Sequence, residues 1–186
     1  MKSGQTVYCC FSSDFLIEEA DEWRVECWKM IKQRPDLHFI FLTKRIERFA
    51  DCIPDDWNDG YENVTVGCTV ENQEMADLRL EIFSKLPIKH RNIILQPLLE
   101  TVNIEKYLDY VELVVVGGEC DRDARPFDYD WVLSLREQCV KHNVSFDFHQ
   151  CGSKFIVNGT LHKLNYAMLY KRARESYINY NAQTGV

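Results

Sequence analysis

The sequence has no apolar run approaching the ~20 residues that a membrane-spanning helix needs, and no signal-peptide core follows Met1-Lys2-Ser3-Gly4-Gln5. Both absences lead us to expect a cytoplasmic protein with no membrane partner. Positive charge is in short supply as well: 22 Lys plus Arg stand against 29 Asp plus Glu, a formal net charge of −7. That balance argues against broad, sequence-blind binding to nucleic acid or to anionic lipid, and leaves room only for a local basic site. Eight cysteines are present, but none are spaced as C-x-x-C, so a local zinc or iron–sulfur loop is missing and no metal site is expected. Without a secretory signal they read as free thiols, most of them small hydrophobes in strand and helix patterns. G-x-G-x-x-G after a first strand, H-E-x-x-H and a Ser/His/Asp order are all absent, as are low-complexity segments.

What is present can build a core. Hydrophobic residues make up 46% of the 186, charged residues 27% and aromatics 12%, a globular balance at the length of one compact domain spanning 1–186. Thr6 to Phe11 is an apolar run of strand formers that ends in Ser12-Ser13-Asp14. Glu18 to Gln33 follows with helical spacing and closes before Pro35. The alternation then recurs: strand Leu37–Leu42 and helix Arg45–Asp51, strand Val64–Val70 and helix Asn72–Leu86, strand Asn92–Leu95 and helix Ile104–Leu108. Strand Leu113–Val116, helix Tyr129–His142 and strand Val144–Phe148 complete it. Strands alternating with helices predict parallel pairing through crossovers over residues 6–150. Asp51 to Asn63 is a long loop whose Pro54, Trp57 and Gly60 suggest that it packs down on the body. From 151 to 186 the pattern changes: Phe155 to Leu161 is strand, Asn-Gly turn and strand, followed by a basic helix at Lys163–Arg174. Six units fall short of a closed eight-fold barrel, so the expected fold is α/β, an open or incomplete TIM-like (β/α) barrel with a C-terminal hairpin and helix.

In a parallel architecture the site lies at the carboxyl ends of the strands, and polar residues are concentrated there. Lys44 and Arg45 follow the second strand, where they could grip a phosphate or carboxylate or be plain surface charge. Glu71 and Glu119 could form a carboxylate pair, although Glu71 would also suit a helix N-terminus. Gly117-Gly118 permits close approach of a ligand or simply a tight turn. Asp14 could bind a ligand or cap the next helix, and His149 could face the mouth or the wall.

These strand ends, together with others, resemble a known family. Phe-Ser-Ser-Asp-Phe at 11–15, Leu-Thr-Lys-Arg at 42–45, Cys-Thr-Val-Glu-Asn-Gln at 68–73, Gln-Pro-Leu-Leu-Glu at 96–100, Val-Gly-Gly-Glu at 116–119, Cys-Gly-Ser-Lys-Phe-Ile at 151–156 and Tyr-Ile-Asn-Tyr at 177–180 carry the resemblance. Together they are similar to the phage-associated three-Cys-motif proteins, whose barrels resemble those of radical-SAM enzymes. The resemblance implies pocket roles for Asp14, Lys44, Arg45, Glu71, Gly117, Gly118 and Glu119. It also implies that members carry a further β/α unit with a three-cysteine loop, which this sequence lacks. Gln96 and His149 depart from the family's glutamate and lysine. No cofactor is therefore expected in this chain, and an iron–sulfur cluster with S-adenosylmethionine only where the missing segment is supplied. The expected function is a non-catalytic module binding a small anionic or nucleotide-like ligand or a partner. The alternative is a subunit or truncated form of a radical-SAM-type enzyme whose cluster-binding segment lies elsewhere. Thr6 to Phe11 reads as an exposed edge strand, to be covered by a second copy, a partner protein, or the chain's own helix at 163–174.

Overall fold

A computed structural model describes residues 1–185. Six strands, β1 (Thr6–Cys9), β2 (His38–Thr43), β3 (Val64–Thr69), β4 (His90–Leu95), β5 (Leu113–Gly117) and, after a short β6 (Phe127–Asp128), β7 (Ser145–Gln150), form one all-parallel sheet. Its order is β1-β2-β3-β4-β5-β7, so each strand lies beside its predecessor in the repeat and the sheet curls into a half-barrel. The expected open α/β barrel is what forms.

The connections are α1 (Asp21–Gln33), α2 (Phe49–Cys52), α3 (Gln73–Phe83), a 3₁₀ segment at Glu105–Tyr110 and α4 (Tyr129–Lys141). Residues 18–20 and 46–48, expected as α-helix, are 3₁₀ turns leading into α1 and α2. The helix expected at Ile104–Leu108 is 3₁₀ as well, as suits a segment too short to nucleate an α-helix. Local chemistry starts the longer helices. Asn72 Oδ1 accepts from Met75 N at 2.9 Å at the head of α3, and Asp128 Oδ1 from Asp130 N at 3.0 Å at the head of α4.

Strand side chains alternate between two faces. Phe39, Phe41, Val66, Ile93, Leu95, Val114, Val116, Phe146 and Phe148 are buried in the main apolar cluster with Trp28, Ile31, Leu80 and Leu135 from the helices. The other face is the concave wall, carrying Tyr8, Ile40, Leu42, Asn92, Ile94, Leu113, Val115, Asp147 and His149. Every residue of the central β3 is buried. Gly67 makes this possible, since a Cβ there would collide with Leu42 Cδ2 and press on Ile94, which close over the strand on its concave side. The long loop does pack down: Trp57 is 2% exposed, with Phe49, Trp28 and Tyr61 around it at 5.6, 5.2 and 5.0 Å.

The C-terminal hairpin is β8 (Lys154–Val157) with β9 (Thr160–Lys163), turning at Asn158-Gly159 with φ of 51° and 74°. Two positive φ values identify the type I′ geometry that Asn-Gly favours. β6 adds a parallel third strand to this small sheet. The final helix α5 (Tyr166–Glu175) packs against β7. It was expected as one of the possible covers for β1, but the hairpin returns the chain to the β7 end of the sheet, with Cys151 N bonding Leu169 O at 3.2 Å. Among the described residues no strand pairs with the outer side of β1. The tail then closes the β7 edge: Phe146 N bonds Tyr180 O at 2.8 Å and Tyr180 N bonds Phe146 O at 2.9 Å. Among the described residues, no helix is long and apolar enough to cross a membrane.

Candidate functional site

The sharpest turn in the mouth is organised by Asp14. It is 9% exposed and lies in the loop after β1, where each carboxylate oxygen takes two partners. Oδ1 accepts from Leu16 N at 2.9 Å and from the Thr43 hydroxyl at 2.8 Å. Oδ2 accepts from Lys44 N at 2.8 Å and faces an Arg45 guanidinium nitrogen at 3.2 Å. Thr43 Oγ1 in turn accepts from Arg45 N at 2.9 Å, so its hydroxyl links that backbone to the carboxylate. Asp14 therefore braces the β1 and β2 ends together; no side chain caps the 3₁₀ turn that follows it. The brace aims Lys44 and Arg45 at the mouth, where their side chains are 46% and 43% exposed.

Glu71, after β3, is held from the helix side by Arg79 of α3 at 2.8 Å and faces Lys44 Nζ at 3.8 Å. Arg79 also donates to Thr69 O at 2.9 Å, fixing the guanidinium to the strand end. Glu119, after β5, is taken by Arg125: its Oε2 accepts from Arg125 N at 2.7 Å and Nε at 3.0 Å, and its Oε1 from the terminal guanidinium nitrogen. These bonds hold the Glu119 carboxyl below the usual carboxylate range. Each glutamate thus has its own arginine, Arg79 for Glu71 and Arg125 for Glu119, and the Arg125 guanidinium also feels the Glu71 charge. Arg79 and Arg125 escape sequence reading, because their partners are 8 and 6 residues away, across a strand-to-helix corner and inside an irregular loop.

The glycine pair has a packing reason. A Cβ on Gly117 would press on Gln96 Cδ at 3.0 Å and Gln150 Nε2 at 3.2 Å. One on Gly118 would meet Gly152 Cα at 2.9 Å and Phe127 Cβ at 3.0 Å. Gln150 is fully buried; its amide donates to Gly118 O and its carbonyl accepts from Gly152 N. Gly118→Ala is therefore expected to destabilise the fold by about 1–3 kcal/mol, since backbone on one side cannot yield; urea unfolding followed by circular dichroism measures it. A cost below about 0.5 kcal/mol would show that the two chains of backbone are not in contact.

His149 points to the concave wall, 45% exposed on its side chain, with Nδ1 at 3.5 Å from Asp147 Oδ2 and its ring edge-on to Tyr170 at 5.2 Å. Asp147 is tied to the tail through Asn179 Nδ2 at 2.6 Å.

Two adjoining cavities occupy the mouth and the wall. The mouth cavity, about 400 Å³, is lined by Phe11, Asp14, Ile17, Leu42, Lys44, Arg45, Thr69 and Gln96 among others. A second, about 410 Å³, runs down the concave face and shares Phe11, Leu42, Thr69 and Gln96 with the first. Tyr8 and Phe11 stand edge to face at 4.9 Å on their common rim, 64% and 50% exposed. Gln96 thus lies at the junction of the two spaces.

The cysteines do not suit a cluster. Cys68 and Cys151 are buried, and burial pushes both thiols up, Cys151 to about 12, against the thiolate a metal needs. Cys10 and Cys120 are exposed, and among the described residues no three His, Cys, Asp or Glu side chains are grouped to hold a metal ion. All eight thiols are free.

Fold and mouth together define a half-barrel α/β protein with a charged, aromatic-rimmed cavity at the carboxyl ends of its strands. The chain belongs to the family described as "Protein of unknown function (DUF5131)", which matches residues 1–177. No curated protein and no solved structure matches it.

Proposed function

We propose that this protein is a binding module for a small ligand that combines an anionic group with a flat apolar body, as a nucleotide does. One observation carries the reading: two cations stand at the rim of the mouth cavity with most of their donors unused. Lys44 Nζ is 3.8 Å from Glu71, beyond hydrogen-bond reach, so its three N–H donors remain for a ligand. Arg45 touches Asp14 through one nitrogen and presents the rest of its fork outward. Behind each cation a fixed carboxylate sets its position without neutralising its outer side. The neighbouring wall of Phe11, Ile17 and Leu42, with the Tyr8 ring beside it, suits a planar apolar group, and Thr69 and Gln96 offer orienting hydrogen bonds.

The radical-SAM-like reading rests on the strand-end motifs alone. The cysteines present do not fit a cluster, so catalysis through one would belong to a segment outside these residues.

Calorimetric titration with inorganic phosphate, pyrophosphate and ADP tests the proposal. Saturable binding is expected, strongest for ADP, weakened by salt and reduced at least about tenfold by Lys44→Ala with Arg45→Ala. Absence of saturation by all three probes, or equal binding by the double variant, overturns it.

A further inference from the structure

The two edges of the sheet are treated differently. The β7 edge is closed by the tail, through the Phe146–Tyr180 bridge and through Phe148 N bonding Asn179 Oδ1 at 2.8 Å. β1 pairs only with β2, and its outer side has no strand partner among the described residues. Natural sheets blunt such edges with charge, proline or a bulge. Thr6-Val7-Tyr8-Cys9 carries none of these.

The helix beside that edge is also apolar where it should be polar. Successive helix residues are turned by about 100°, so Trp23, Cys27 and Met30 share one flank of α1. The opposite flank, Val25, Lys29 and Lys32, faces the loop at 51–63. The buried line of Arg24, Trp28 and Ile31 lies between them. The first flank is therefore on the β1 side, and Cys27 is packed there near Cys9 and Cys10. Trp23 is 75% exposed and Met30 58%. A tryptophan and a methionine one helical turn either side of a cysteine, next to an unpaired strand, form one continuous surface.

We infer that this surface is a homodimer interface in which β1 pairs antiparallel with β1 of a second copy and the Trp23–Cys27–Met30 flanks of the two α1 helices pack across the same twofold axis. Two features select a second copy. The flank is palindromic about Cys27, so an antiparallel helix sets Trp23 against Met30 of the partner twice and brings the two Cys27 thiols to the axis. Finally, pairing β1 with the β7 edge of another copy is blocked by the tail, so the contact closes as a dimer and cannot run on as a filament.

The area is in range. Tyr8, Trp23 and Met30 at the stated exposures contribute roughly 400 Å² of mainly apolar surface if each offers about 150–250 Å² in full. Backbone of β1 and the charged rim supply the rest of the ~800 Å² per partner of a standard interface.

Light scattering on the full chain is expected to give twice the monomer mass. Trp23→Glu with Met30→Lys, both at positions exposed in the single chain, is expected to give monomer with an unchanged circular dichroism spectrum. A short bismaleimide should link the native protein into a covalent dimer and fail once Cys27 and its neighbours Cys9 and Cys10 are all serine. A monomer at the highest soluble concentration overturns the inference. So does a dimer that survives the double substitution, or one still cross-linked in the triple serine variant, because either places the contact elsewhere.

Discussion

Trp57→Ala is expected to cost about 3–5 kcal/mol, the range for removing a buried large aromatic, and to lower the melting temperature by roughly 10 °C in a chain of this size. The ring is where three parts of the fold meet. It sits in the 51–63 loop at 2% exposure, against Trp28 of α1 at 5.2 Å and Phe49 of α2 at 5.6 Å. Its Nε1–H crosses to Pro87 O at 2.7 Å, tying the loop to the corner before β4. Trp28 is anchored in the same way, donating to Cys52 O at 2.7 Å, so loss of Trp57 leaves a cavity with rigid walls. Walls that cannot collapse are what place a truncation at the costly end of the range. Trp57→Phe separates packing from hydrogen bonding: it keeps much of the ring area and should cost about 1–2 kcal/mol. Chemical unfolding of the three proteins reads both numbers, and a cost for alanine under about 1 kcal/mol would mean that the loop does not pack on the barrel.

That loop was legible in outline because an aromatic-rich stretch without periodicity has to bury its rings somewhere. The repeat was legible for a similar reason: apolar runs such as Val64 to Val70 are too short for helices and are bounded by polar ends. The Asn158-Gly159 turn announced its hairpin through residues that tolerate positive φ. What the sequence hides is pairing at a distance. β6 is two residues long, and its partnership with Phe155 and Ile156 has no periodic signature. Whether α5 covers β1 or β7 depends on which way the hairpin turns back, not on any property of Lys163 to Arg174. In the site, the polar strand ends could be read as a group, yet their clasps could not. Arg79 and Arg125 look like ordinary helix and loop charges until the fold brings Glu71 and Glu119 to them. Gly117-Gly118 reads as room for a ligand, while the structure uses it to let Gln150 and Gly152 approach.

Asp14→Asn is expected to lose nearly as much stability as Asp14→Ala, about 2–4 kcal/mol each, although asparagine keeps the volume. The reason is the polarity of the four contacts. Leu16 N, the Thr43 hydroxyl, Lys44 N and the Arg45 guanidinium all act as donors toward the two carboxylate oxygens. The Thr43 hydroxyl could turn to accept, but Leu16 N beside it cannot, so each oxygen of residue 14 faces at least one fixed backbone donor. An asparagine amide must therefore turn its NH₂ toward one pair of donors, either Leu16 and Thr43 or Lys44 and Arg45. A buried donor then faces donors, and one side of the brace opens whichever way the amide turns. Asp14→Glu keeps the charge but moves it by a methylene, so the four contacts cannot all be remade, and its loss should fall below that of the other two. Lys44 and Arg45 are aimed by this brace, so the ADP binding proposed for the mouth should weaken together with stability in the Asn and Ala variants. Ligand binding and urea midpoints measured on the same preparations test the link. Asparagine within about 0.5 kcal/mol of the wild type would show that Asp14 is held by its size and not by its acceptors, and the account of how the mouth is built would fail with it.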